Sequence, residues 1–380
     1  MDVFKKFLVI FSCLLITLPA LQTEFQVVQS KPLNGAYRFT PAPFLTFKTW
    51  MNGEFQQQYL LHFHDSSGFK NEGVRLHNQL DFTIFRVPNP ATVVIGNQDH
   101  LLTSEYITAS LGYDHINKGA IDQRVYKLKK LQHFFWNKKK IFLLVIVAPD
   151  KVSFSPEDIP DRYLFRKPGL SGRDYLIEKC TASGIHLIDF NTWFRQMKDT
   201  SRFLLFPTTG VHWTLYGATL AADSTLKYLE KMLQEPMPEI KINTIELSEK
   251  PRQFDDDVNW MMNLICDIKH PPLAYPKFEI TFHPNEKKQN ALFVGDSFFW
   301  AWYDQGIIGR VFDNSEFWYY NKKIFNKGDA RSISTATVDI KKAIERQNII
   351  VLIQVGGGWG NPGAGFIDRA YDAYSSNENL

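Results

Sequence analysis

Cysteine is scarce in this chain: Cys13, Cys180 and Cys266 are the only three among 380 residues. A disulfide-stapled scaffold is thereby excluded, because such folds rely on several paired cysteines in a short chain. Cys13 lies in an apolar leader, which leaves Cys180 and Cys266 for the folded part, either bridged in an oxidising compartment or as two separate buried thiols. Charge of one sign is also scarce. Lys and Arg number 43 against 40 Asp and Glu, so the chain lacks the basic surplus of a nucleic-acid binder. The run Lys138, Lys139, Lys140 stands directly before an apolar stretch and reads as a solvated strand entrance, and no nucleic-acid partner is expected. Low-complexity blocks and internal repeats are absent, which excludes solenoids and arrays. What remains, 44% hydrophobic and 22% charged residues, is the composition of a folded globular protein of one or two domains.

The N-terminus has the layout of an export signal. Lys5 and Lys6 precede an apolar stretch from Phe7 to about Leu21, interrupted by Pro19. It falls short of the roughly 20 residues that span a bilayer, yet Leu18-Pro19-Ala20 departs from a small-x-small cleavage site. Residues 1–22 are therefore either a cleaved signal peptide or a retained anchor, and the folded part is expected in the periplasm or cell envelope, with anchoring in the inner membrane as one alternative.

Past an extended segment rich in Pro and Phe, hydrophobic spacing becomes regular. Leu76, Leu80 and Ile84 recur four apart, as on one face of a helix. Ala91–Ile95, Ile141–Ala148, Ile185–Ile188, Ala291–Val294 and Ile349–Val355 are short apolar runs that end in turn residues. Between them lie helical patterns at about 118–135, 175–183 and 215–233, and a polar, Pro-rich stretch at about 235–276. Such alternation predicts an α/β fold with a mostly parallel sheet covered on both faces. Chemistry in such sheets gathers at the carboxyl ends of the strands.

Two motifs occupy such ends. Gly295-Asp296-Ser297-Phe298 follows Ala291–Val294 and precedes a helical segment, so Ser297 sits on a strand-to-helix turn with its hydroxyl at the sheet edge. Free backbone N–H groups at such a turn can stabilise an oxyanion. His212-Trp213 follows a turn and precedes the helix from about 215. Serine is a weak nucleophile at neutral pH and requires a base, which a histidine with an ordinary pKa near 6.5 supplies. The bland alternatives are an N-capping Asp-Ser pair and a packed, hydrogen-bonded histidine.

Together these segments resemble the AlgX/AlgJ-type SGNH-hydrolase-like proteins of alginate and exopolysaccharide O-acetylation. The resemblance runs from about Phe55 to Asp372 and rests on Val94-Ile95-Gly96-Asn97, Ala148-Pro149-Asp150-Lys151, the His212-Trp213 block, the later Gly-x-Ser block and Gly365-Phe366-Ile367-Asp368. It implies one three-layer α/β SGNH-hydrolase-like domain over residues 25–375, Ser297 as nucleophile, His212 as base and Tyr303 as an active-site tyrosine on the substrate side. It further implies O-acetylation of an exported polysaccharide through an acyl-serine, a membrane-bound O-acyltransferase as partner, and no metal or organic cofactor. The alternatives are a polysaccharide acetylesterase and a catalytically silent polysaccharide-binding or scaffold protein. Trp213 is expected to pack beneath the site.

The family carries Asp two residues before the histidine, and this chain has Gly210 there. Three readings follow: another group substitutes for the acid, the enzyme runs as a slower Ser-His dyad, or the domain only binds polymer; an active site needs a replacement acceptor for the imidazole N–H. The expectation is a backbone carbonyl first, a carboxylate such as Asp189 or Asp296 second, with Asp255 to Asp257 as further candidates. The loop Gly356–Gly363 follows the last strand, and within it Trp359 is a candidate sugar-stacking surface and Asn361 a candidate donor; the alternative is a flexible turn. Phe317-Trp318-Tyr319-Tyr320 is either a groove lining or an aromatic core strand.

Overall fold

The continuous apolar runs of the sequence have a direct structural counterpart. In the computed structural model, which describes residues 3–35, 39–284, 286–326, 332–355 and 362–375, successive strand residues go to opposite cores. The strands in chain order are β1 (Val93–Ile95), β2 (Leu101–Thr103), β3 (Phe142–Ala148), β4 (Leu187–Asp189), β5 (Glu239–Ser248), β6 (Leu273–Thr281), β7 (Asn290–Gly295), β8 (Asp313–Tyr319), β9 (Lys323–Asn326), β10 (Ile333–Ser334) and β11 (Ile349–Val355). A seven-stranded sheet has the order β10-β9-β8-β7-β11-β3-β4. Its five strands from β8 to β4 are parallel, and β9 and β10 close one side antiparallel.

One face buries Leu144, Ile146, Phe293, Val351 and Ile353 with the helices Phe190–Met197 and Leu215–Leu233. The other buries Leu143, Val145, Leu292, Val294 and Leu352 against the helices Lys118–Phe134, Gly172–Ala182 and Phe366–Ser375. Burial on both faces explains why these strands read as continuous apolar runs. The expected three-layer α/β architecture is what the chain adopts.

Two compact units share the chain. Thr92–Asp257 and Lys269–Leu380 form the unit that contains the sheet, and Met1–Ala91 with Val258–Ile268 form the other. The stretch read as polar and Pro-rich holds the antiparallel pair β5·β6, from Glu239↔Thr281 to Ser248↔Leu273. The leader is a helix, Val3–Phe25, that contains an 18-residue window with a mean hydropathy of 1.9. All three cysteines are free: Cys180 is buried, Cys13 and Cys266 are exposed.

Candidate active site

Strand β7 ends at Gly295, which pairs with Ile353 of β11 at such close range that an added Cβ would lie 2.7 Å from the Ile353 carbonyl oxygen. Glycine is required there by space. The chain then turns at Asp296, whose buried carboxylate accepts from the Phe298 N–H at 3.0 Å and from the Val355 N–H at 2.7 Å. Asp296 thus fastens the serine turn to the end of β11. Burial raises its pKa, an effect offset by those two hydrogen bonds and by His212. Because the Phe298 N–H is engaged, it is not one of the free oxyanion donors expected at this turn.

Ser297 opens the short turn Ser297–Phe299, half-buried at the sheet edge. His212 reaches it from the loop before helix Leu215–Leu233, whose N-cap Thr214 accepts from the Gly217 N–H and donates to the Leu204 carbonyl. His212 Nε2 lies 2.8 Å from Ser297 Oγ. The ring is wedged between Phe298 and Phe254, with centroids at 4.7 and 5.4 Å. Beneath it Trp213 is fully buried, stacked on Trp302 at 5.6 Å and donating through Nε1 to the Phe298 carbonyl. The expected supporting role of Trp213 matches this packing.

The third member is Asp257. Its Oδ2 lies 2.7 Å from His212 Nδ1, and its Oδ1 accepts the Val211 N–H at 3.0 Å. A carboxylate can only accept, so Nδ1 carries the ring proton and Nε2 turns its lone pair to the serine. This corrects the expectation of a backbone carbonyl, or of Asp189 or Asp296, behind the histidine. Asp189 caps helix Phe190–Met197 through the Thr192 N–H at 3.0 Å, and Asp296 is occupied as described. Asp257 begins helix Asp257–Met262, on the connection that leaves β5.

Lys151 holds the histidine loop from below. Its Nζ is buried and donates to the carbonyls of Leu101, Thr208 and Gly210 at 2.9, 2.8 and 2.8 Å. Burial lowers its pKa to about 7, partly restored by Asp257 and Asp158. The neighbouring Asp150 is tied to Arg173 at 2.9 Å and to Ser153 and Ser110. Asp255 is buried with one carboxylate oxygen lacking a hydrogen-bond partner among the described residues, and burial pushes it up to about 7.

Two tyrosines feel the charge of Asp296. Tyr320 follows β8 with a left-handed φ of 48°, and its N–H donates to the Gly295 carbonyl at 2.7 Å. Its phenol is pushed up to about 12 by burial and Asp296, against a hydrogen-bonding contribution from Ser297. Tyr106, on helix Ser104–Ser110, has its pKa raised by burial and then by Asp296 and Tyr320. Of the aromatic quartet, Phe317 and Trp318 are core, Tyr319 is half-buried and Tyr320 is 39% exposed. Tyr303 is half-buried and packs on Trp300 at 5.3 Å. Trp359 and Asn361 lie outside the described residues. Sequence reasoning passed over Tyr106, and the signal available for Asp257 was only its place in an acidic triplet.

The model of the family "SGNH hydrolase-like domain, acetyltransferase AlgX" matches residues 93–297, more than half of the chain, from β1 to the serine itself. No curated protein matches. Among solved structures, the O-acetyltransferase domain of Pseudomonas putida AlgJ is similar at 13% identity and a TM-score of 0.49, covering 73% of this chain and 99% of that one. Pseudomonas aeruginosa AlgX is 16% identical with a TM-score of 0.45, over 73% of this chain and 66% of that one. Bacillus cereus PatB1 with a sulfonyl adduct is 11% identical with a TM-score of 0.46, over 66% and 94%.

Proposed function

Since the chain belongs to the family of AlgX-type, acetyltransferase-like SGNH domains, we propose that it is a serine-dependent O-acetyltransferase acting on an exported polysaccharide. The observation that carries this reading is the continuous relay Ser297–His212–Asp257, with hydrogen bonds of 2.8 and 2.7 Å. Ser297 Oγ attacks the carbonyl carbon of an acetyl donor while His212 Nε2 takes the hydroxyl proton, and Asp257 stabilises the imidazolium. Collapse of the tetrahedral adduct expels the donor's leaving group, which receives that proton from His212. A sugar hydroxyl then attacks the acetyl-serine and gives its proton to Nε2; collapse of the adduct breaks the Oγ–C bond, Nε2 returns the proton to Ser297 Oγ, and the acetylated sugar departs.

Water in place of the sugar makes the same site an acetylesterase, and the acceptor surface decides between the two. Tyr320, Tyr303, Trp359 and Asn361 are the proposed acceptor-side residues. A silent binding protein loses its main support, the glycine at 210, because Asp257 fills the role of the missing acid. The donor side is proposed to be a membrane-bound O-acyltransferase, and helix Val3–Phe25 is read as a retained anchor that keeps the enzyme beside it in the inner membrane. No metal or organic cofactor enters the mechanism.

The test is acetyl transfer from a chromogenic acetyl ester to an oligosaccharide, followed by mass spectrometry of the sugar and of the trapped acetyl-enzyme. Ser297→Ala should abolish both products with the fold retained. His212→Ala should lose nearly as much, and the double variant should be no worse, since groups that act as one unit are not additive. Acetyl release by Ser297→Ala at the parent rate refutes the proposal.

A further inference from the structure

The unit formed by Met1–Ala91 and Val258–Ile268 carries apolar side chains on its helices that are largely exposed among the described residues. Helix Phe47–Met51 exposes Phe47, Trp50 and Met51, at spacings of three and four, and helix Lys70–Leu80 with its continuation Asp81–Phe85 exposes Leu76, Leu80 and Ile84. The second set is the four-spaced stripe legible in the sequence. Such a stripe ordinarily marks the side of a helix that faces a core, yet these side chains are 52%, 45% and 62% exposed. In helix Glu54–Ser66, which lies between them in sequence, no residue is buried.

The same unit contains the helix that reads as an anchor, and the two are joined at a defined place. At about 1.5 Å per residue, the 23 residues of Val3–Phe25 extend about 35 Å, against a hydrocarbon core of about 30 Å. In a retained anchor the polar end of this helix, Gln22-Thr23-Glu24, is the part that reaches headgroup level. There the Gly68 N–H donates to Thr23 Oγ1 at 2.7 Å, and Gly68 approaches so closely that an added Cβ would meet the Pro19 carbonyl oxygen at 2.4 Å. Gln22 is buried at the same level, its side-chain oxygen accepting from the Val28 N–H at 3.0 Å. The turn between helices Glu54–Ser66 and Lys70–Leu80 is thus fastened to the anchor where it leaves the bilayer.

From this attachment we propose that helices Phe47–Met51 and Lys70–Leu80 lie in the membrane interface, with lipid covering their apolar faces. The occupant is the headgroup and upper acyl region of the anchor's own bilayer. Apolar helix faces fastened at that depth meet lipid before they meet any other surface, and Trp50 among aromatic and aliphatic neighbours is the composition found at interfacial depth. The inference rests on the reading of Val3–Phe25 as a retained anchor.

The experiment uses the full chain reconstituted in phosphatidylethanolamine–phosphatidylglycerol vesicles, with Cys13→Ser and Cys266→Ser; Cys180 is buried, and its thiol is pushed up to about 12 by that burial. Nitroxide labels are attached at Leu76→Cys, Leu80→Cys and Ile84→Cys, with Glu178→Cys as an exposed control, and collisions with oxygen and with a water-soluble nickel complex are compared. We expect an oxygen-to-nickel ratio several-fold above the control at all three positions. Ratios equal to the control overturn the proposal, as do labels shielded from both reagents, which would mean that protein covers the face. Carbonate extraction and intact-mass measurement test the anchor separately: a chain released without residues 1–22 removes the anchor, while label depth on that chain added to vesicles still decides the fate of the helix faces.

Discussion

Gly210 and Asp257 compete for one volume: a Cβ on Gly210 would lie 2.8 Å from Asp257 Oδ1, 2.8 Å from the Phe254 carbonyl oxygen and 3.0 Å from that of Asp255. The position that lacks an acid is thus the one against which the acid packs. Asp257 reaches the histidine from a segment 45 residues further along the chain, and the absence of a side chain at 210 gives it room.

A side chain at 210 should therefore harm the site. Gly210→Ala is expected to destabilise by about 1–3 kcal/mol, the usual cost of overpacking, and to reduce kcat by displacing Asp257 from the imidazole. Gly210→Asp adds a second carboxylate beside the first and should be worse. Thermal melts and ester turnover measure both effects. An unchanged Tm and kcat in Gly210→Ala would show that the 253–257 segment yields freely and that its contact with the loop does not position the acid.

Three candidate carboxylates, Asp257, Asp296 and Asp189, should respond differently to substitution. Asp257→Asn keeps the shape but reverses the preferred tautomer of His212, a change that costs about 10⁴-fold in turnover in a well-studied serine protease. We expect a loss of that order with little change in Tm. Asp296→Asn leaves one of two accepted N–H groups facing an amide NH₂, so stability should fall by about 1–3 kcal/mol and activity with it. Asp189→Ala removes a helix cap, about 1 kcal/mol, and should leave kcat alone. If Asp189→Ala or Asp296→Asn removed activity at constant Tm while Asp257→Asn did not, the relay would be wrongly drawn.

These differences mark the limit of what the sequence discloses. Ser297 and His212 were legible because each follows a local signal, an apolar strand before Gly295 and a capped helix after Thr214. Asp257 was not, because three consecutive aspartates look alike until packing selects one: Asp255 is buried, Asp257 faces the ring, and neither outcome has a local cause. The β5·β6 pair was hidden for a related reason. Its Lys241, Thr244 and Glu246 are solvent-facing or half-buried, and Pro276 interrupts the pattern, so a two-stranded ribbon with one wet face reads as loop. The central strands, buried on both faces, were recovered almost to the residue, Ile349–Val355 without error.

Tyr320 should show itself as an acceptor-side residue. A non-glycine residue at a φ of 48° is strained backbone, which persists where surrounding structure enforces it. Tyr320→Phe removes the phenol next to Ser297 and keeps the ring. We expect acetyl transfer to an oligosaccharide to fall several-fold while hydrolysis of a small acetyl ester changes less. Equal loss of both would assign the hydroxyl to the acyl half-reaction instead.

Stability should pass through a minimum near pH 7 as far as Asp255 and Lys151 determine it. Asp255 is raised from its ordinary 3.8 to about 7 by burial. Between those values the folded chain holds a proton that the unfolded chain has lost, so this contribution is fully present below about 3.8 and disappears as pH rises through 7. Lys151 is lowered from 10.5 to about 7, also by burial. Between 7 and 10.5 the unfolded chain holds the proton that the folded chain has released, so stability recovers as pH climbs through that range. The two groups therefore act on opposite limbs. Denaturant midpoints measured from pH 4 to 10 should show the acid limb flattened in Asp255→Asn and the alkaline limb flattened in Lys151→Met. The lysine variant also loses three carbonyl contacts around the His212 loop, so its kcat should fall across the whole range. An alkaline limb of unchanged slope in Lys151→Met would mean that the buried amine stays protonated throughout, held by the Leu101, Thr208 and Gly210 carbonyls together with Asp257 and Asp158.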